Sequence, residues 1–323
     1  MGFPLRQALW GLAVAAWATP LAGQVADPRV LVHAAELYRA GNRVGAREAL
    51  GRYLAAVPED GKAWLQLGRF YLADARQWHV DGHQGEAPAA VYLDFAATAL
   101  DQAGHMLIDS AMVFRTLVEL ERALVAVEES GWDGARAREL WSAEAQVPAF
   151  VVELGVNLLN SCPEQGVLVT GQPTEGLAVW SAVLAGRHRT DVLPVDAARY
   201  GGDPRYRARM SEAMEVDAAE PLAVALQRVV MRRPVCLSPG ADPALAPRGE
   251  TVTFRLAQVI GPQDLSPTGP LSITEFVKAE QRGGTIWTHE VRETYLAAAR
   301  RNTLLCTGLL AYTGDRPPAA CGR

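Results

Sequence analysis

Helical hairpins followed by a small α/β domain are what the sequence of 323 residues predicts, and three observations carry this expectation. Apolar residues recur at helical spacing through the first half. Short β-branched runs bounded by turn residues appear only after Ala149. The length accommodates two domains of ordinary size. Hydrophobic residues make up 49% and charged residues 21%, with 31 basic against 36 acidic side chains, so whole-chain disorder is excluded. A net charge of −5 offers no broad positive field for nucleic acid, and no nucleic-acid partner is expected.

The first residues are expected to lie outside the fold. Arg6 precedes an uncharged apolar run, Ala8 to Thr19, and Pro20 to Gly23 supplies a break followed by small residues. This is the pattern of a secretory signal peptide over residues 1–23, and the run is shorter than the roughly twenty residues of a bilayer span. The expected location is periplasmic or secreted. Four cysteines, Cys162, Cys236, Cys306 and Cys321, permit three pairings. Cys306 and Cys321, near the tail, are the better candidates for a bridge, whereas Cys162 and Cys236 are read equally as buried thiols or as a disulfide.

Residues 24–146 read as all-helical, with a loop insertion near 73–90. Val30 to Ala40 is apolar-periodic, Gly41 marks a turn, Ala46 and Leu50 lie on a second helix, and Pro58 closes the unit. Trp64, Leu67, Gly68 and Tyr71 follow at a W-x-x-L-G-x-x-Y spacing, and Val30 and Ala34 precede Trp64 and Gly68 by the repeat period of about 34 residues. Small residues at Ala34, Ala46 and Gly68 would let helices approach closely. His33 is read as a packed core position. Further helices are expected at Ala89 to His105, Ile108 to Glu129 and near Gly134 to Ala145. Over about one and a half repeats this segment resembles the tetratricopeptide (TPR) family. The resemblance implies a concave face that binds a protein segment, with Tyr38, Arg39, Lys62 and Arg69 on the first helices of the two repeats, and Trp78 is a further candidate contact.

Residues 147–323 read as α/β with C-terminal helices. A helix at Ala149 to Ser161 precedes a strand at Gly166 to Thr170, a helix at Thr174 to Ala185 and a strand at Asp191 to Val195, which together form a βαβ unit with parallel pairing. A helix at Pro221 to Met231, strands at Arg233 to Ser238 and Glu250 to Ala257, and two helices within Leu271 to Leu310 complete a small Rossmann-like domain with a parallel-type sheet. The strand ending in Thr170-Gly171, a helix with Trp180, Arg189-x-Asp191-Val192, Tyr200, Tyr206 and Arg233-Pro234-Val235 resemble the soluble extracytoplasmic tail of bacterial membrane proteins related to protein O-mannosyltransferases. That family has an acid-rich turn after the first strand, where this chain has Gly171 to Gly176. The resemblance implies a fold and an envelope location, because the family's transferase chemistry belongs to a membrane part that this pattern does not cover.

Candidate chemistry is sparse. Neither G-x-G-x-x-G nor a P-loop occurs, and no G-x-S-x-G elbow is present. Thr170, Gly171, Thr174 and Glu175, at the first strand-to-helix turn, are the alternative ligand-binding set, an α/β sheet offering backbone N–H groups there. The competing reading has Thr174 cap its helix and Glu175 sit favourably at the positive helix end. His79, Asp81 and His83, with Glu86, have metal-capable spacing, and a solvated polar loop is the reading preferred over a metal site. Arg187 to Arg189 and Arg205, Arg207 and Arg209 read as solvated faces. The expected protein is a non-catalytic exported scaffold, an extrinsic subunit of an envelope complex that reaches the membrane through a protein partner and needs no cofactor.

Overall fold

A computed structural model describes residues 28–77, 89–130, 141, 147–186, 188–262, 265, 269, 271–303 and 305–307. The first half is helical: α1 (Pro28–Arg39), α2 (Arg43–Ala56), α3 (Gly61–Gln77), α4 (Ala89–His105) and α5 (Asp109–Ser130). Gly41 turns the chain between α1 and α2 at φ +83°, and the Asn42 side chain caps α2 by accepting from the Gly45 amide at 3.0 Å. Ala34 and Ala46 are wholly buried. A Cβ at Gly68 would lie 2.6 Å from Leu100 Cγ, so the close approach expected of this glycine is made between α3 and α4. His33 does not pack in the core: it is exposed on α1, because its neighbour Ala34 faces the adjoining helices. Of the helix expected near Gly134 to Ala145, only Trp141 falls among the described residues, helical and buried.

The second half opens with α6 (Ala149–Leu159) and contains a five-stranded sheet in the order β2-β1-β3-β5-β4. Strand β1 (Val167–Thr170) pairs in parallel with β2 (Leu193–Asp196) and with β3 (Val235–Leu237). The first parallel pair is linked through α7 (Pro173–Gly186), which completes the expected βαβ unit. The sheet as a whole is mixed rather than parallel. The stretch expected as one strand over Glu250 to Ala257 is a hairpin, β4 (Thr251–Phe254) and β5 (Ala257–Ile260), and β5 runs antiparallel to β3. The reversal falls at Arg255, at φ +52°, a position where glycine or asparagine would have signalled the turn.

Side-chain alternation along the strands divides the core in two. Val167 and Val169 of β1 and Val235 and Leu237 of β3 face α8 (Ala197–Gly202), α9 (Pro204–Met214) and α10 (Leu222–Val229), packing on Tyr200, Tyr206, Met210 and Leu226. Leu168 and Cys236 point the other way, into a core shared with α6, α7 and the helical half, where Leu120, Leu124, Leu154, Leu177 and Trp180 meet. Helices α11 (Thr274–Gln281) and α12 (Ile286–Ala299) close this side. One hydrophobic core therefore runs through both halves.

One local expectation holds and one is corrected: Arg205, Arg207 and Arg209 stand on the outer side of α9, exposed or half-buried, whereas Arg189 is engaged within the fold. Arg205, Arg207 and Arg209 belong to α9, a helix that starts where Asp203 accepts from the amides of Arg205 and Tyr206 at 3.0 and 3.1 Å, with Pro204 as its first residue. Arg189 is a structural tie rather than a solvated face. Its guanidinium forks onto Asp191 at 2.8 Å through two nitrogens and donates to the Leu159 and Cys162 carbonyls, and this pairing holds the Asp191 carboxyl below the usual carboxylate range. The cysteine choice is also decided. Cys162 and Cys236 form a disulfide between the end of α6 and β3, and Cys306 is disulfide-bonded too, while Cys321 lies outside the described residues.

The packing of Tyr295 gives a pH prediction. Its ring lies 5.3 Å from that of Phe276, its hydroxyl accepts from Asn157 Nδ2 at 2.8 Å, and burial pushes its pKa well above the ordinary 10.0. Below pH 10 the hydroxyl is neutral in both folded and unfolded chains. Above that, the unfolded chain ionises while the folded one does not, so stability falls as pH rises. Urea midpoints measured between about pH 8 and 11 are expected to hold and then drop, with a shallower drop in Tyr295→Phe. Equal slopes in the two proteins would contradict this account.

Candidate functional site

The topological switch point of the sheet lies between β1 and β3, because the chain leaves β1 toward β2 on one side and returns to β3 on the other. In an open α/β sheet this crevice commonly receives an anion. Here it receives Glu175. The helix begins at Pro173 with Gln172 before it, so Thr174 is the second helical residue and Glu175 the third. From that position the Glu175 side chain turns back. Oε2 accepts from the amides of Gly171 at 3.1 Å and Gln172 at 3.2 Å and from Ser238 Oγ at 2.6 Å, and Oε1 accepts from the Gly240 amide at 2.8 Å. The two amides on its own turn are those that a helix start leaves without partners.

Two glycines make this closure possible. A Cβ at Gly171 would lie 2.1 Å from the Gly240 carbonyl oxygen, and one at Gly240 would lie 2.4 Å from Gln172 Cγ and 2.8 Å from Glu175 Oε2. Glu175 is 0% exposed, and Thr170 and Thr174 are buried at 2% and 5%. The donors that the turn would offer a ligand are thus engaged within the chain, and Thr174, expected as the helix cap, stands inside the helix while Glu175 takes the amides of Gly171 and Gln172.

Beside this filled crevice lies an open one. A cavity of about 570 Å3 separates the C-terminal ends of α1 and α3 from the starts of α7 and α8. Its apolar wall consists of Leu117, Leu120 and Leu124 on α5, spaced so that they share one helix face, with Leu177 and Trp180 on α7. Tyr38, Arg39, Arg43 and Arg76 lie on the helical side, and Asp196, Arg199 and Asp203 on the α/β side.

A buried ionic network joins the two halves at the cavity wall. Glu121 of α5 receives Arg76 Nε at 2.9 Å and Arg199 at 3.2 Å through Nη1, and Arg199 Nη2 lies 3.0 Å from its other oxygen. Arg199 Nε lies 3.4 Å from Asp203, and its guanidinium stands 4.8 Å from the centre of the Tyr206 ring. Charges this deeply buried persist only when paired, so the network demands the observed placement of the halves. On the outer side Tyr38 stacks on Phe70 at 4.2 Å and donates to Asp74 at 2.8 Å, and Arg47 pairs with the same carboxylate. Burial raises the Tyr38 pKa against the lowering influence of Arg43 and Arg47.

The structure thus brings Tyr38 and Arg39 to a cavity that also touches Gly171. Lys62 and Arg69 do not line it; both are exposed, and Arg69 lies over the Phe114 ring at 4.8 Å. Trp78, His79, Asp81, His83 and Glu86 lie outside the described residues, and among the described residues no cluster of three metal-capable side chains occurs. Arg76, Glu121 and Arg199 had no signal in the sequence beyond their charge. Asp203-Pro204, a helix-start pair four residues after Arg199, was the one local clue that this region is ordered. Comparison with family models, with curated proteins and with solved structures finds no match. Among the described residues no helix is long and apolar enough to cross a membrane.

Proposed function

We propose that the protein is an exported, non-catalytic interaction subunit of a membrane-associated envelope complex, with a TPR-type helical half that holds a protein partner. The observation that carries this reading is the register of the odd-numbered helices. The Gln66 side chain of α3 donates to the Leu31 carbonyl of α1, an offset of 35 residues, and Tyr38 meets Asp74 at an offset of 36. Both are close to the TPR period of about 34 residues. Arg76 meets Glu121 of α5 at 45, the longer offset reflecting the extra residues between Gln77 and Ala89, and Arg69 meets Phe114 in the same register. Helices α1, α3 and α5 therefore run the same way, with Tyr38 and Arg39 carried on α1 and Lys62 and Arg69 on α3.

The leader-like residues 1–23 and the three disulfide-bonded cysteines, Cys162, Cys236 and Cys306, support export to an oxidising compartment. The parallel β2-β1-β3 core supports relating the α/β half to the Rossmann-like extracytoplasmic tails that its sequence resembles. The closure of the switch point by Glu175 favours a binding or docking role over catalysis at residues 170–176.

Affinity purification of the tagged full chain from cell envelopes tests the proposal. A stoichiometric protein partner is expected, and Lys62→Glu/Arg69→Glu, two exposed substitutions, should reduce its recovery by about tenfold while the circular dichroism spectrum is kept. A chain that stays monomeric and partnerless at native abundance would overturn the reading.

A further inference from the structure

We infer that the cavity between the two halves is a binding site for an organic carboxylate with an apolar body. The inference begins with the charges that face the space. The carboxylates on its wall are engaged: Asp203 Oδ1 accepts from the amides of Arg205 and Tyr206 and Oδ2 faces Arg199, and Asp196 Oδ1 accepts from the Arg199 amide at 2.9 Å. On the helical side the guanidinium groups share their acids. Arg76 and Arg199 divide Glu121. Arg43 lies 3.9 Å from an Asp74 carboxylate that also holds Arg47 and the Tyr38 hydroxyl. Arg39 has no acidic partner among the described residues and lines the same space. The mouth consequently carries unbalanced positive charge, and the interior wall, from Leu117 to Trp180, is apolar.

A ligand that matches this arrangement places one negative group at the arginines and an apolar body against the leucines and Trp180. A guanidinium fork binds a carboxylate through two parallel hydrogen bonds. The row of backbone amides that would favour a phosphate at a strand-to-helix turn is already occupied by the Glu175 carboxylate. A volume of about 570 Å3 falls in the range of small-molecule pockets and holds two or three residues of a peptide. Two sources share this chemistry, the C-terminal carboxylate of a protein partner and a free aliphatic or aromatic acid. The inference stands apart from the partner-binding proposal: an envelope pull-down can fail while the cavity still binds carboxylate.

The test is isothermal titration of the full chain with octanoate, with octanol as the neutral control and with N-acetyl-Ala-Ala-Leu as the free acid and as its C-terminal amide. Saturable octanoate binding at one site is expected, with octanol weaker by about tenfold or more. Arg39→Glu should weaken octanoate by about tenfold, since it reverses a charge at the mouth that has no acidic partner among the described residues. Ala198→Trp, an exposed position on the cavity wall, should remove binding by filling the space while the thermal melt is kept. Tighter binding of the free-acid peptide than of octanoate would assign the site to a partner's C-terminus, and the reverse order to a free acid. The inference is overturned if neither acid binds below about 5 mM, if octanol binds as tightly as octanoate, or if binding survives Ala198→Trp.

Discussion

Replacing Glu175 with alanine is expected to destabilise the protein by about 3–5 kcal/mol, a fall of roughly 10 °C in Tm, although the residue belongs to no identified catalytic set. The carboxylate, itself 0% exposed, satisfies four donors: the Gly171, Gln172 and Gly240 amides at the half-buried turn and the buried Ser238 hydroxyl. Truncation leaves those donors facing a void, and each lost partner of a buried polar group costs about 1–3 kcal/mol. Glu175→Gln preserves the volume but offers only one acceptor oxygen, so an NH2 group must face an N–H or O–H donor; about half the loss is expected. Thermal melts of the two variants distinguish this role from a simple helix-end charge, which is worth no more than about 1 kcal/mol at an exposed site. Addition of formate should restore part of the alanine variant's melting temperature, because a small carboxylate fits the vacated position. Wild-type stability in both variants would show that the crevice closes without the carboxylate.

Removing the Cys162–Cys236 bridge by a double alanine substitution is expected to cost about 4 kcal/mol. The bridge closes a segment with a sequence separation of 74, and in the chain-entropy account a closed loop of that length stabilises the folded state by restricting the unfolded one. Both cysteines are 0% exposed, and a Cβ at the neighbouring Gly166 would lie 2.4 Å from Cys162 Sγ, so the sulfurs also fill a tightly packed site. Reductant should accordingly act on the unfolded chain far faster than on the native one. Non-reducing peptide mapping should recover Cys162 and Cys236 in one linked peptide pair, and urea unfolding of the double variant should show a lower midpoint with a larger m value. An unchanged midpoint would mean that the unfolded chain is held compact by other means.

Much of the architecture was legible in the sequence where local pattern and burial coincide. Helices α4 and α5 follow from apolar spacing within a residue or two, and β1 reads as a strand because β-branched residues stand between Gly166 and Gly171. Gly41 and Gly68 were identifiable because a positive φ and a close helix approach both need an absent Cβ. The misreadings came where one pattern serves two structures. Thr251 to Ala257 alternates like a single strand, yet Arg255 takes the left-handed conformation without a glycine to announce it. The solvated reading of the α9 arginines, by contrast, holds, because that helix turns its charged side outward and buries Tyr206 and Met210. His33 adjoins the packed Ala34 but points away from it, a distinction of about 100° around a helix that an apolar-periodic stretch alone does not resolve.

The candidate site shows the same division. Glu175 was visible as an acid at a helix start, which local propensity explains. Its engagement with Ser238, 63 residues away, was not, and that contact turns a favourable end charge into the closure of the sheet's ligand crevice. Tyr38 and Arg39 were singled out by their place on a repeat helix; the cavity they line lies between two halves joined by the shared apolar core and by Arg199, which reaches Glu121 across 78 residues.

The sequence by itself determined the order and type of most elements, the division into helical and α/β halves, and the glycines and alanines at which helices approach, since these depend on the spacing of apolar and small residues along a short stretch of chain. The sense of the sheet's outer strands, the pairing of Cys162 with Cys236, the filling of the switch point by Glu175 and the cavity beside it were decided by tertiary structure. Each depends on which distant polar groups meet once water is excluded, and a buried charge or donor takes the partner that folding brings to it rather than one its neighbours in sequence specify.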